Sequence, residues 1–163
     1  YMVGAKKITV ASSGYLPGLN QLALKKPRPS LSISLHAPNQ DLRQKLIPMA
    51  KNYPLPQLMH FIKNYPLRPN KKLSIQYLLL KDINDKEEHA FQLAHLLKGL
   101  PVKINFLQYN LVQGLNLEPS LQAREEFFIQ TLRNHKISAL KRLSYGAEIK
   151  AACGQLGHEI MHP

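Results

Sequence analysis

The sequence predicts an α/β fold of parallel βαβ units, and three observations carry that prediction. Runs of β-branched and apolar residues at 7–11, 31–35, 73–80 and 102–109 alternate with stretches of helical spacing. The run at 73–80 is nearly continuously apolar, as in a strand covered on both faces. Prolines, glycines and capping side chains punctuate the alternation. Strands alternating with helices build a parallel sheet. Four such strands, with a fifth at 137–143, make half or more of a barrel or an open sheet.

Lys7-Ile8-Thr9-Val10-Ala11 is β-branched, and Ser12-Ser13-Gly14 supplies the turn that ends it. Helical spacing runs through Leu19-Asn20-Gln21-Leu22, before the basic, proline-rich Lys25-Lys26-Pro27-Arg28-Pro29. The second strand meets His36 just past its end, and Pro38 prevents regular extension. Residues 39–47 read as a helix with Asn39 as its cap and Pro48 as its stop. Residues 56–65 read as another, burying Leu58, Phe61, Ile62 and Tyr65, with Pro66 closing it. After the third strand, Asp85 as N-cap and Glu88 three positions on read as a capping box. That helix turns Ala90, Leu93, Ala94 and Leu97 inward, and Gly99 with Pro101 ends it. Ser120 is the expected cap of a last helix, reaching about residue 134.

An apolar fraction of 44% over 163 residues suits one globular unit with a real core. No apolar run approaches the roughly 20 residues of a membrane span, and no signal-peptide pattern opens the chain. One cysteine forms no intramolecular disulfide, in keeping with a reducing, cytoplasmic location. The net charge of +12 is lopsided: residues 1–81 carry thirteen Lys or Arg against Asp41 alone, whereas residues 82–163 carry nine against nine acids. A field of that sign draws polyanions, so RNA, DNA or the ribosome is the expected partner, with a merely solubilising basic surface as the alternative.

Cys153 is that single cysteine, in Ala151-Ala152-Cys153-Gly154-Gln155-Leu156. Small neighbours leave its sulfur unscreened, and Lys141, Arg142 and Lys150 favour the thiolate, the attacking form. The same residue also suits a small buried hydrophobe. Parallel barrels carry their chemistry at the carboxyl ends of strands. Ser12, Ser13, Ser34, His36 and Asn110 fall at such ends, where each could equally cap or shape a turn. His60, His89, His95, His135 and His158 have no ligand spacing and read as packing or surface residues, so no metal site is expected from them.

Five motifs run in order along nearly the whole chain: Ile8-Thr9-Val10-Ala11-Ser12-Ser13-Gly14, Ser34-Leu35-His36-Ala37-Pro38-Asn39, Asn84-Asp85 with His89-Ala90, Lys103-Ile104-Asn105, and the Cys153 segment. Together they resemble the C-terminal portion of the RlmN/Cfr family of radical S-adenosylmethionine RNA methyltransferases. The resemblance implies an incomplete radical SAM (β/α)6 partial TIM-type barrel. Residues 1–143 would supply its last four βα units, and residues 144–163 a loop and tail carrying the methyl-accepting cysteine. It implies S-adenosylmethionine and a [4Fe-4S] cluster as cofactors, with Ser34, Leu35, His36 and Asn110 against the former. A further contact, a serine after the first strand, falls on Ala11, where Ser12 or backbone would have to substitute.

The implied reaction is methylation of C2 of adenine in 23S ribosomal RNA. Transfer RNA would be a second substrate, and an electron donor such as flavodoxin a partner. That carbon is not nucleophilic, so a sulfonium methyl is not simply displaced onto it. The Cys153 thiolate can take the methyl. A 5′-deoxyadenosyl radical would then remove a hydrogen from the S-methyl group, and the carbon radical would add to the ring. A second cysteine would release the product by forming a disulfide. The cofactors carry the radical chemistry while the protein supplies placement.

The chain departs from the family pattern in several places. The CxxxCxxC motif is absent, and one cysteine does not hold a cubane cluster. The resolving cysteine and the early Gly-Glu stretch are absent too. Tyr1 accordingly reads as a cut point, the first strand as lacking a neighbour, and the chain by itself as inactive. Gln76 stands where the family has an acid, Gln108-Tyr109 in place of Pro-Trp, Gln113-Gly114 in place of Pro-Gly, and Tyr145-Gly146-Ala147 in place of Arg-Gly-Asp. The alternatives are a C8-specific Cfr-like paralogue, another radical enzyme on the same barrel, and a non-catalytic basic RNA-binding remnant.

Overall fold

The structure, a computed structural model, describes residues 3–112 and 114–142. Five strands, β1 (Thr9–Ser12), β2 (Ser30–Ser34), β3 (Leu73–Leu78), β4 (Val102–Leu107) and β5 (Ser138–Arg142), form one sheet in the order β1-β2-β3-β4-β5. Every pairing is parallel. The connections carry helices α1 (Leu16–Leu24), α2 (Gln40–Leu46), α3 (Leu55–Asn64), α4 (Glu87–Leu97) and α5 (Gln122–Asn134). The expected α/β class and the fifth strand are both present. Strand order that follows chain order is what repeated crossovers of one hand produce around a barrel.

Register decides which side chains share a face, because neighbours across a parallel sheet point the same way and successive residues alternate. One row reads Ala11, Ser32, Ser74, Lys103 and Ser138, and the row above it Ser34, Gln76 and Asn105. These two rows are polar as far as β4; Leu140 continues the second beside Asn105, and Leu78 and Leu107 lie one row further toward the carboxyl end. The opposite face carries Ile33, Ile75, Ile104 and Ala139 in one row and Tyr77 beside Phe106 in another. These six are all buried, against Leu58, Ile62, Leu93, Leu97, Phe128 and Leu132 from the helices. Phe106, Tyr77 and Phe128 meet with ring centroids 5.8 to 6.0 Å apart. Burying each such aliphatic or aromatic side chain contributes about 1.5–3 kcal/mol before entropy is set against it.

β3 therefore departs from the expected strand covered on both faces: its residues alternate buried and half-buried, since Ser74 and Gln76 interrupt the apolar run on the inner side. Asn39 does cap α2, its Oδ1 accepting from the Leu42 N–H at 2.9 Å. The capping box at α4 is not formed. The helix starts at Glu87 behind Lys86. Asp85 instead accepts from the Asp82 N–H at 2.8 Å and from the Ser120 hydroxyl at 2.6 Å. Ser120 is thereby taken from α5, whose N-cap is Leu121. Both side chains tie the β3–α4 loop to the segment before α5, beside a Leu80–Pro119 bridge and a Lys81–Glu118 ion pair of 2.6 Å. A long-range partner displaced the local one. Among the described residues, no helix is long and apolar enough to cross a membrane.

Candidate active site

The carboxyl end of β2 is held from three sides. Ser34 ends the strand, and the Leu35 N–H still donates to the Gln76 carbonyl at 3.0 Å. His36 then turns the chain with φ +56, in the left-handed region that a non-glycine residue enters at a cost. Two bonds hold it there: its Nδ1 accepts from the Leu78 N–H at 3.0 Å, and its carbonyl accepts from Asn84 Nδ2 at 2.8 Å. With Nδ1 accepting, the ring proton sits on Nε2, the ring's remaining donor. Burial, helped by the Arg43 guanidinium, lowers the His36 pKa from 6.5 to about 4. The imidazole is neutral at physiological pH.

Arg43 lies on α2 with only 1% of its surface exposed. Its Nη1 donates to the Ser34 and Leu35 carbonyls at 3.0 and 2.5 Å, and its Nη2 to the Ser13 carbonyl at 2.7 Å. One guanidinium thus ties the end of β2 to the turn after β1. Burial lowers its pKa from 12.5 to about 10, so the charge persists, met by carbonyl dipoles at both Nη groups, while its buried Nε has no partner among the described residues. Gly14 makes room for it. Its φ is +108, and a Cβ there would stand 3.0 Å from Nη2 and 3.4 Å from Leu58 Cδ2. Asn84, fully buried, completes the arrangement. Its Nδ2 reaches the His36 and Leu78 carbonyls, and its Oδ1 accepts from the Leu80 N–H at 2.7 Å. The Tyr77 hydroxyl donates to its backbone carbonyl at 3.1 Å.

The polar inner face continues from this end toward the middle of the sheet. Gln76 Nε2 donates to Ser32 Oγ at 2.8 Å, and Asn105 Nδ2 to Ser74 Oγ at 2.8 Å. Gln76 Oε1 is buried and has no hydrogen-bond partner among the described residues. A cavity of about 670 Å³ lies on this face, walled by Ser32, Ser74, Gln76 and Asn105 and by Arg28 and Lys72 at the amino ends of the strands. Its lining does not include Ser34, His36 or Asn110, so the concavity extends away from the expected cofactor rim.

The sequence-derived candidates are placed as follows. Ser34, Leu35 and His36 are brought together, with Asn110 half-buried and three residues beyond β4 at the same end of the sheet. Ala11 and Ser12 are both within β1 rather than after it, and they face opposite ways. Ala11 shares the inner row with Ser32, whereas Ser12 pairs with Ile33 on the helix side, its Oγ accepting from the Gly14 N–H at 3.1 Å. Cys153 and the segment 144–163 lie outside the described residues. Sequence reasoning missed Arg43, and it gave Gly14 no role beyond its turn and motif and Asn84 none beyond its motif. A mid-helix arginine gives no sign of burial until the three carbonyls it serves are in place.

In donor and acceptor chemistry, the ring N–H at His36, the hydroxyl at Ser34 and the buried Gln76 Oε1, unpartnered among the described residues, are compatible with the hydrogen-bonding groups of a nucleoside. A cluster does not fit. One cysteine in the chain falls short of the thiolates a cubane requires, and no group of three His, Cys, Asp or Glu among the described residues could hold a metal ion.

No protein-family model matches the chain. A probable dual-specificity RNA methyltransferase RlmN from Gloeobacter violaceus is 41% identical over 154 residues, covering 94% of this chain and 44% of that protein. One of the same name from Dictyoglomus thermophilum is 40% identical over 155 residues, with the same coverage, 94% and 44%. The crystal structure of a radical SAM methyltransferase from Sphaerobacter thermophilus superposes with a TM-score of 0.89 at 36% identity, over 93% of this chain and 45% of that one. A domain of pyruvate-formate lyase-activating enzyme from Bacteroides vulgatus shares the fold alone, with a TM-score of 0.61 at 16% identity. The chain spans about half the length of the curated relatives it matches, their C-terminal part.

Proposed function

We propose that this chain, which matches the C-terminal part of RlmN-type methyltransferases in sequence and part of a radical SAM methyltransferase in fold, is the methyl-transferring half of an enzyme that modifies adenine in RNA. The observation that carries the proposal is the Ser34-Leu35-His36 turn, pinned at the carboxyl end of β2 by Arg43 and Asn84, in a chain with those relatives. When bound, S-adenosylmethionine supplies an electrophilic one-carbon unit. The residues that would hold it are Ser34 through its hydroxyl, Leu35 through its backbone, His36 through Nε2–H, and Asn110. A neutral imidazole suits that role, because an imidazolium would repel the cationic sulfonium. Ala11 offers backbone on the inner face. Ser12, turned to the helix side, contributes through the turn it shapes.

Cys153 is the residue we assign as methyl carrier, its thiolate being the competent nucleophile. The preferred target is C2 of adenine in 23S ribosomal RNA, with transfer RNA second, in the cytoplasm, with a reductant such as flavodoxin. Ligands for a [4Fe-4S] cluster come from outside this chain, and the chain alone does not turn over. The test is a chimaera in which residues of this chain replace the matching segment of the Gloeobacter violaceus relative. The expected result is methylated adenine in RNA and a methyl adduct on the Cys153 peptide, both abolished by Cys153→Ala. Product that survives Cys153→Ala, or a folded chimaera that yields none, would overturn the proposal.

A further inference from the structure

We propose that the face at the amino ends of the strands, opposite the carboxyl-end site, docks the sugar–phosphate backbone of RNA that flanks the modified base; this rests on RNA being the substrate. Acids in this fold are confined to one end of the strand axis, where cations such as Lys81, Arg124 and Lys141 pair with them, whereas the other end carries cations alone. Every acid among the described residues lies toward the carboxyl end: Asp41 on α2, Asp82 and Asp85 in the β3–α4 loop, and glutamates just before or in the first turns of α4 and α5. The connections entering the strands at the other end are basic and hold no acid: Lys25, Lys26 and Arg28 before β2, and Arg68, Lys71 and Lys72 before β3.

Helix dipoles favour part of this sorting, since they draw acids to helix amino ends and cations to carboxyl ends. That preference fades within a turn, whereas Arg28, Arg68, Lys71 and Lys72 lie four or more residues past the ends of α1 and α3. Nor are these cations neutralised: none forms an ion pair within the described residues. Two are pre-positioned. Arg28 Nη1 donates to the Pro66 carbonyl at 2.6 Å, and its guanidinium stands 5.9 Å from the Tyr65 ring centroid. Arg68 in turn donates to the Arg28 carbonyl. Arg28 Nε is buried with no hydrogen-bond partner among the described residues, a donor left over. Both guanidinium groups and the exposed Lys71 and Lys72 wall the 670 Å³ cavity, whose lining among the described residues contains no carboxylate. Fixed guanidinium groups beside mobile ammonium groups match phosphate oxygens, the arginines by paired hydrogen bonds and the lysines as point charges.

Six-residue strands such as β3 and β4 rise about 20 Å. RNA whose target base enters at the carboxyl end therefore reaches this face only if it extends about that far beyond the base. A short oligonucleotide centred on the adenine does not.

The experiment is titration of the 163-residue chain with a long structured RNA and with a short oligonucleotide, across a salt series. A loop variant carrying Lys25→Gln, Lys26→Gln, Lys71→Gln and Lys72→Gln is compared with a control variant carrying Lys45→Gln, Lys51→Gln and Lys86→Gln, exposed lysines toward the carboxyl end. The loop variant is expected to bind the long RNA at least about tenfold more weakly near 0.1 M salt, with its log K against log salt slope shallower by about 3, since each lost phosphate contact removes roughly 0.7–0.9. The short oligonucleotide, which spans fewer phosphate contacts on this face, should lose less affinity in the loop variant than the long RNA, and the control should behave as wild type with both RNAs. An unchanged slope in the loop variant, an equal loss in the control, or no RNA binding by the wild type would each overturn the proposal. Binding is read without turnover. A chain that binds as described while its chimaera never methylates adenine sinks the enzymatic reading and leaves this face standing.

Discussion

His36 occupies a left-handed backbone position, accepts a strand-end N–H through Nδ1 and is neutral, and the three facts have one cause. Protonating Nδ1 would remove the acceptor that the Leu78 N–H requires, in surroundings that disfavour charge. The consequence is a pH dependence of stability with a definite sign. The unfolded imidazole protonates near 6.5 and the folded one near 4, so the unfolded chain binds more protons between those values. The stabilisation is fully present above pH 6.5 and is lost as pH falls toward 4, a loss of up to about 3 kcal/mol at 1.36 kcal/mol per unit. His89, whose pKa burial also lowers, adds to the slope with the same sign. Urea denaturation from pH 7.5 to 4 should show the loss, and His36→Asn should flatten it. Asparagine tolerates the left-handed conformation and offers an oxygen to Leu78 without titrating. A slope undiminished in His36→Asn would place the acid sensitivity elsewhere.

The units that position the site are loops joined across strands rather than single elements. Asn84 belongs to the loop after β3, yet two of its bonds run to the carbonyls of His36 and Leu78, and a third receives the Leu80 N–H. Asn84→Asp keeps the shape but turns a donor into an acceptor facing two carbonyls. We expect it to cost at least about 2 kcal/mol, since a buried unsatisfied group costs roughly 1–3 kcal/mol and two are created. Thermal or urea unfolding measures this; a cost below 0.5 kcal/mol would show that the loops are held by other contacts. The same loops explain the capping residues that local pattern misassigned. Asp85 and Ser120 have the chemistry of helix caps, and each stands one residue before the N-cap of the following helix. They bond to each other instead, because folding brings the loop after β3 against the segment before α5. Asn39 also meets a distant partner, its Nδ2 donating to Gln92 Oε1 at 2.9 Å, but that leaves its Oδ1 to cap α2 as its sequence predicts.

At the scale of the whole chain, a sheet with strands in sequence order has its best-protected members at the centre. β3 has paired neighbours on both sides and a buried face of Leu73, Ile75 and Tyr77, whereas β1 is an edge strand of four residues with no fully buried one. Amide exchange should therefore be slowest in β3 and β4 and fastest in β1; protection in β1 equal to that in β3 would contradict this ranking. Much of the architecture was already legible in the sequence: five parallel strands, the helices between them and the inward set Ala90, Leu93, Ala94 and Leu97 follow from periodicity and breakers. The placement of Ser34, Leu35 and His36 at the carboxyl end of β2 was legible too, because Pro38 and the end of the apolar run mark where that strand stops. The tertiary structure alone decided that Ala11 joins the inner row while Ser12 falls on the helix side, that Arg43 serves three carbonyls from the interior, and that the acids collect at the carboxyl end of the strands while the connections at the amino end carry cations alone. The reason is physical. Periodicity and capping are set by neighbours a few residues apart, whereas register, buried polar bonds and surface charge are set by groups that meet only after the sheet has closed.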